Sequence, residues 1–129
     1  MIVRINRIKN SNSRGTIVEV ASDYGTIEAT WMGEVPDLQK LYDVEFDIPI
    51  KLRWGNEIKK SNHNSYSIYS FSESTCLIGK IVSSDRVDNC TLFKIGNSNV
   101  LLETIGEVYE AGSMIEVTTP EVLLYNTHV

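Results

Sequence analysis

From Asp43 to Trp54 the chain alternates with a period of two. Val44, Phe46, Ile48, Ile50, Leu52 and Trp54 are apolar, and Asp43, Glu45, Asp47, Lys51 and Arg53 fall between them. Successive side chains of a β-strand point to opposite faces, so this is the signature of a strand with one face buried and one in solvent. Pro49 interrupts the charged side of the pattern. A proline contributes no ladder donor, so it predicts a bulge or an edge position there.

The same pattern returns later in the chain. Residues 44–49, Val-Glu-Phe-Asp-Ile-Pro, align with 115–120, Ile-Glu-Val-Thr-Thr-Pro, and beyond them Leu52 meets Leu123 and Trp54 meets Tyr125. Upstream, an offset of 73 lays Ile5, Arg7 and Ile8 on Ile78, Lys80 and Ile81. It also pairs Ile17 with Cys90, Val20 with Phe93, Ile27 with Val100 and Ala29 with Leu102, and Gly33-Glu34-Val35 falls on Gly106-Glu107-Val108. A near-constant offset over apolar, glycine and proline positions reads as a tandem duplication, 2–52 and 75–125. Each copy is read as four strands: 2–8, 16–21, 26–32 and the strand from 44, matched by 75–82, 90–95, 99–105 and the strand from 115. Asp23-Tyr24-Gly25 and Gly96-Asn97-Ser98 supply turns between the second and third strands, because Gly and Asn tolerate positive φ. Pro36 to Tyr42 is the one stretch read as able to hold a helical turn.

Between the copies lies an insert, 55–74, with no counterpart in the repeat. Ser61-Asn62-His63-Asn64-Ser65 is a polar tip, and Tyr66-Ser67-Ile68-Tyr69-Ser70-Phe71 reads as a strand, so a central hairpin is expected. The fold class is therefore all-β: one domain, 1–129, built as a pseudo-two-fold sandwich or barrel, with two small side-by-side barrels as the second architecture.

The chain has 129 residues and a net charge of −5, and the charge is segregated. Residues 1–15 carry four bases and no acid, and 16–50 carry eight acids against Lys40 alone. From Glu103 onward there are five acids and no Lys or Arg. No leader and no membrane span are expected, since the opening residues alternate polar with apolar, and the expected location is cytoplasmic. Two cysteines in such a chain do not make a disulfide framework. Cys76 and Cys90 replace Val3 and Ile17 in the repeat and are expected to be small core residues.

The residues offer no signature of catalysis: no phosphate loop, nucleophile elbow, HExxH, CxxC or dinucleotide fingerprint. His63 and His128 read as solvated. No enzyme, no cofactor and no metal site are expected. Two surfaces remain as candidates. Asp43, Glu45 and Asp47 share one strand face, and Glu34 and Glu45 recur as Glu107 and Glu116, so these six acids are expected to form recognition faces for a basic partner. In the insert, Tyr66 and Tyr69 among Ser and Asn have the composition of a binding loop, in which tyrosine supplies contact area at low entropic cost. The expected function is non-catalytic binding of a basic partner protein, of the immunity- or inhibitor-like kind in size and charge. The alternative is nucleic-acid or oligosaccharide binding by a small barrel through the insert's aromatics. The net acidity counts against nucleic acid, because phosphate contacts dominate that affinity.

Overall fold

The computed structural model describes residues 1–129. The chain is all-β and builds two barrel-like sheets. The first half supplies β1 (Ile2–Ser11), β2 (Thr16–Ser22), β3 (Gly25–Met32) and β4 (Leu41–Asp47). Then come β5 (Leu52–Arg53), β6 (Ile58–Lys60) and β7 (Ser67–Phe71). The second half supplies β8 (Ser74–Asp85), β9 (Cys90–Ile95), β10 (Ser98–Ile105), β11 (Met114–Thr119) and β12 (Leu123–Asn126).

Each barrel-like sheet takes in a strand from the other half, and the first is a closed barrel. The first runs β1-β2-β3-β12-β4 and back to β1, with β12 parallel to β3 and antiparallel to β4. In the second, β8, β9 and β10 repeat the meander of β1, β2 and β3, and β5 crosses over to lie parallel to the end of β10. There the fifth strand is broken. After the turn at Gly55–Glu57, β6 continues it against β11, and Trp54 bridges to Ile58 across the break. The insert is thus divided between the two edges: β6 extends β11, while β7 forms a hairpin with β8.

These crossings correct the reading of 44–54 as one strand. The strand ends at Asp47, and Ile48–Lys51 carry the chain from one barrel to the other, as Pro120–Val122 do on the return. Pro49 and Pro120 mark the exits, where no ladder bond is lost. The alternation survives because both barrels press on one core. Val44, Phe46 and Ile48 join Leu52 and Trp54 in a single cluster of 24 buried residues that also includes Trp31, Phe93 and Leu124.

The 73-residue offset holds in the hairpins and fails in the first strand. Val20 pairs with Ile27 as Phe93 pairs with Val100, and Val18 pairs with Ala29 as Thr91 pairs with Leu102. Across the other edge, however, Val20 faces Ile5 whereas Phe93 faces Ile81, not Ile78. Ile5 belongs to the core cluster and Ile78 does not. The bulges between Ile5 and Arg7 in β1 and between Ile81 and Ser83 in β8 fall at the same place relative to these pairs, so the first strand matches its counterpart at an offset of 76 instead of 73.

Two further expectations change. Pro36–Tyr42 holds no helix; it is a loop with a turn at Leu38–Gln39, followed by the start of β4. Cys76 is buried but lies outside the core cluster, and Cys90 is only half-buried, at the start of β9.

Candidate functional site

The most developed cleft lies at the mouth of the first barrel, where β3 and β12 end side by side and β4 begins. Gly33, with φ of 89°, lets the chain leave β3 sharply, a conformation that disfavours any side chain. The loop that follows is tied down at its far end. Gln39 donates its N–H to the Ile5 carbonyl (2.7 Å), and the Lys40 carbonyl accepts from the Ile5 N–H (3.1 Å). The Asp37 N–H donates to the Tyr42 hydroxyl (2.8 Å), and Pro36 is buried beneath. With Pro36 turned inward, its neighbours turn outward: Val35 is 61% exposed, Leu38 57% and Leu41 53%. Across the opening stands Tyr125, 42% exposed, beside Met32 on β3 and opposite Glu45 on β4. Val35 and Tyr125 line the opening itself, while Leu38 is exposed on the loop and Leu41 at the start of β4, beside Arg4 of β1. Exposed apolar residues gathered in this way, and not singly, mark an interaction surface.

The cleft has a volume of about 880 Å³, and its floor is Trp31 and Tyr42. Their rings meet edge to face at 4.9 Å. Glu34, Asp37 and Lys40 make up the charged rim, and His128 lines it beside them. Lys40 sits over the Tyr42 ring at 5.2 Å and 3.9 Å from Asp37.

The six acids read from the sequence do not form one face. Glu34 lines this cleft, and Glu45 is the cross-strand neighbour of Tyr125. Asp43 is engaged structurally: its carboxylate accepts from the Met1 ammonium at 3.0 Å, part-buried. Asp47 is half-buried opposite Leu123 where the chain leaves the barrel. Glu107 stands at the end of the second barrel beside Arg86 and Asn89, and Glu116 lies on that barrel's outer sheet, opposite Lys59.

The tyrosines of the insert also part company. Tyr66 packs edge-on against Tyr24 at 6.0 Å, beside buried Ile68, and pins β7 to the first barrel, where the Ile68 N–H donates to the Tyr24 carbonyl. Tyr69 points the other way, exposed, with its ring 5.9 Å from Phe71. The exposed aromatic pair is therefore Tyr69 with Phe71. Hydrogen bonding to the Cys76 sulfur, and then its charge, holds the Tyr69 phenol up to about 12, above the ordinary 10.0. Burial in turn pushes the Cys76 thiol up. In an ultraviolet titration Tyr69 is expected to ionise at about 12, and Cys76→Ala should lower that value toward 10.0. A raised phenol means the fold favours the neutral form. That contribution is present below pH 10 and lost as pH climbs toward 12.

No three of His, Cys, Asp and Glu come together as a group able to hold a metal. No helix is long and apolar enough to cross a membrane. Comparison with family models, curated proteins and solved structures returns no match.

The sequence reading missed Val35, Leu38, Leu41, Tyr42 and Tyr125. Its signal was present in Val35-Pro36-Asp37-Leu38, where apolar residues stand in a stretch too short for a strand.

Proposed function

We propose that this chain is a non-catalytic binding protein that engages a basic partner protein through the mouth of the first barrel. The observation that carries this reading is the makeup of that mouth. Val35 and Tyr125 are exposed apolar residues of its lining, Leu38 is exposed on the same loop, and Glu34, Asp37 and Glu45 stand about them against the single lysine of the lining, Lys40. An apolar centre with a charged rim is the anatomy of a protein interface, in which aromatic anchors contribute most of the affinity. The acidic rim selects the sign of the partner's charge.

The test is differential capture. The wild-type chain and its Leu38→Ser and Glu34→Lys variants are each used as bait, and the retained proteins are compared by mass spectrometry. The expected result is a basic protein held by the wild type and lost by both variants. A partner retained equally by all three baits would place binding elsewhere.

A second reading is favoured by one observation, the exposed Tyr69–Phe71 pair on β7; Lys59 lies on β6, across β8 and β11 from it. Base stacking on such rings is worth ~1–3 kcal/mol per base. Anisotropy of a labelled single-stranded oligonucleotide, with and without Phe71→Ala, checks it. The acidic charge makes this the weaker of the two readings.

A further inference from the structure

The mouth of the first barrel already holds a cation of its own. Lys40 Nζ stands 5.2 Å from the centre of the Tyr42 ring, Trp31 braces that ring edge-on, and Asp37 lies 3.9 Å from the ammonium. The same arrangement exists at the second barrel. Trp54 meets Tyr109 at 4.9 Å and 64°, against 4.9 Å and 65° for Trp31 and Tyr42, and Lys60 sits 5.7 Å from the Tyr109 ring. The two arrangements do not descend from equivalent positions, for Trp31 is on β3 and Trp54 follows β5. The electron-rich face of a braced tyrosine attracts a cation in both places.

What distinguishes the first is its cleft and the carboxylates around it. Lys40 and Asp37 are both well exposed, so their ion pair is screened by water and adds little. The ring belongs to an open cleft whose rim carries the second carboxylate, Glu34, and whose far wall is Tyr125. We propose that this mouth seats a cationic side chain of the partner, lysine or arginine, over Tyr42, and that Lys40 is an internal occupant which the incoming cation displaces. The proposal rests on reading the mouth as the partner site and names what the partner places there. Displacement keeps one cation on the ring and frees Asp37 to pair with the newcomer, beside Glu34 on the rim. A lysine already in place also rejects partners that bring no charge to replace it.

The experiment needs no partner. The full chain is titrated with N-acetyl-arginine amide, N-acetyl-lysine amide and neutral N-acetyl-citrulline amide, while the ring resonances of Tyr42 and the indole of Trp31 are followed by NMR. The expected result is saturable shifts with one or both cations, the comparison telling arginine from lysine, and none with citrulline. Lys40→Met removes the internal competitor and should tighten cation binding about two- to fivefold, as expected for one exposed cation–π contact. Glu34→Gln should weaken it. A lysine that merely stabilised the loop would give the opposite result, unchanged or weaker binding in Lys40→Met. That result overturns the proposal, as do equal shifts with citrulline or no saturable shift at all. If Leu38→Ser abolishes partner capture while the cations leave Tyr42 undisturbed, the cation seat falls and the partner site stands. If capture does not depend on Leu38 or Glu34, the partner reading is the one that falls.

Discussion

Ending the chain at Pro120 should abolish the folded state of both halves. The truncation removes β12, and with it Val122, Leu123 and Leu124, all buried, and opens the first barrel between β3 and β4. Burying side chains of this size stabilises by ~1.5–3 kcal/mol each, so roughly 5–9 kcal/mol is lost from a domain whose whole stability is about 5–15 kcal/mol. The backbone edges left on β3 and β4 add to the cost, for they cannot be satisfied inside the protein. The second barrel is expected to fail too, because the core cluster is continuous across both. Leu124→Ala is the milder form, at about 2–5 kcal/mol. Circular dichroism melting curves of the truncated and full chains measure both. A truncated chain that melts in two steps, with the second barrel intact, would show that the exchange of strands is incidental to stability.

Gly25→Ala is the second large effect expected. Gly25 adopts φ of 138°, and a Cβ there would lie 1.9 Å from the carbonyl oxygen of Ile68. That carbonyl belongs to β7, held against the first barrel, so relief requires the seam between the insert and β3 to open. A substitution that strains the backbone and overlaps a main-chain atom should cost about 3 kcal/mol or more. Gly33→Ala is the matched control. It also sits at positive φ, 89°, but nothing lies within 4 Å of its added Cβ. The conformational cost alone, about 1–2 kcal/mol, should remain. Urea midpoints at constant m-value give both numbers. Equal costs at the two glycines would mean that the close approach of Ile68 is not a constraint.

Much of this fold was legible, and the illegible parts have physical causes. Apolar patterning located the strands, and period-two alternation gave the inward Val44 and Phe46 of β4, because burial of one sheet face is a local constraint on sequence. In β2 and β9 the residues read as core, Ile17 and Cys90, stand on the half-buried face. Turn chemistry located the hairpins at Asp23–Gly25 and Gly96–Ser98. The crossing at Ile48–Lys51 did not break the apolar alternation, since the inward side stays inward when a strand passes from one barrel to another around a shared core. Pro49 was the visible marker, read as a bulge. The register of β8 was misjudged because Cys76 and Ile78 are buried on the outer face. An apolar residue does not say which side of a sheet covers it. Acids were easy to list and hard to place: Asp43 is occupied by the Met1 ammonium, a contact 42 residues away in sequence. Tyr66 and Tyr69 looked alike by composition, and the pleat of β7 turns them to opposite sides.

The central claim is that charge at the mouth of the first barrel, and not acidity elsewhere, recruits a basic partner. Its most direct measurement is the association rate of the captured partner as a function of salt, for the wild type and two double variants. Glu34→Lys with Glu45→Lys reverses the mouth, and Glu107→Lys with Glu116→Lys makes the same change of charge on the second barrel. Steering raises association above ~10⁵–10⁶ M⁻¹s⁻¹ at low salt and fades as the Debye length shrinks. The account predicts fast, salt-sensitive association that the mouth variant slows far more than the second-barrel variant does. Association indifferent to salt, or slowed equally by both variants, would contradict it.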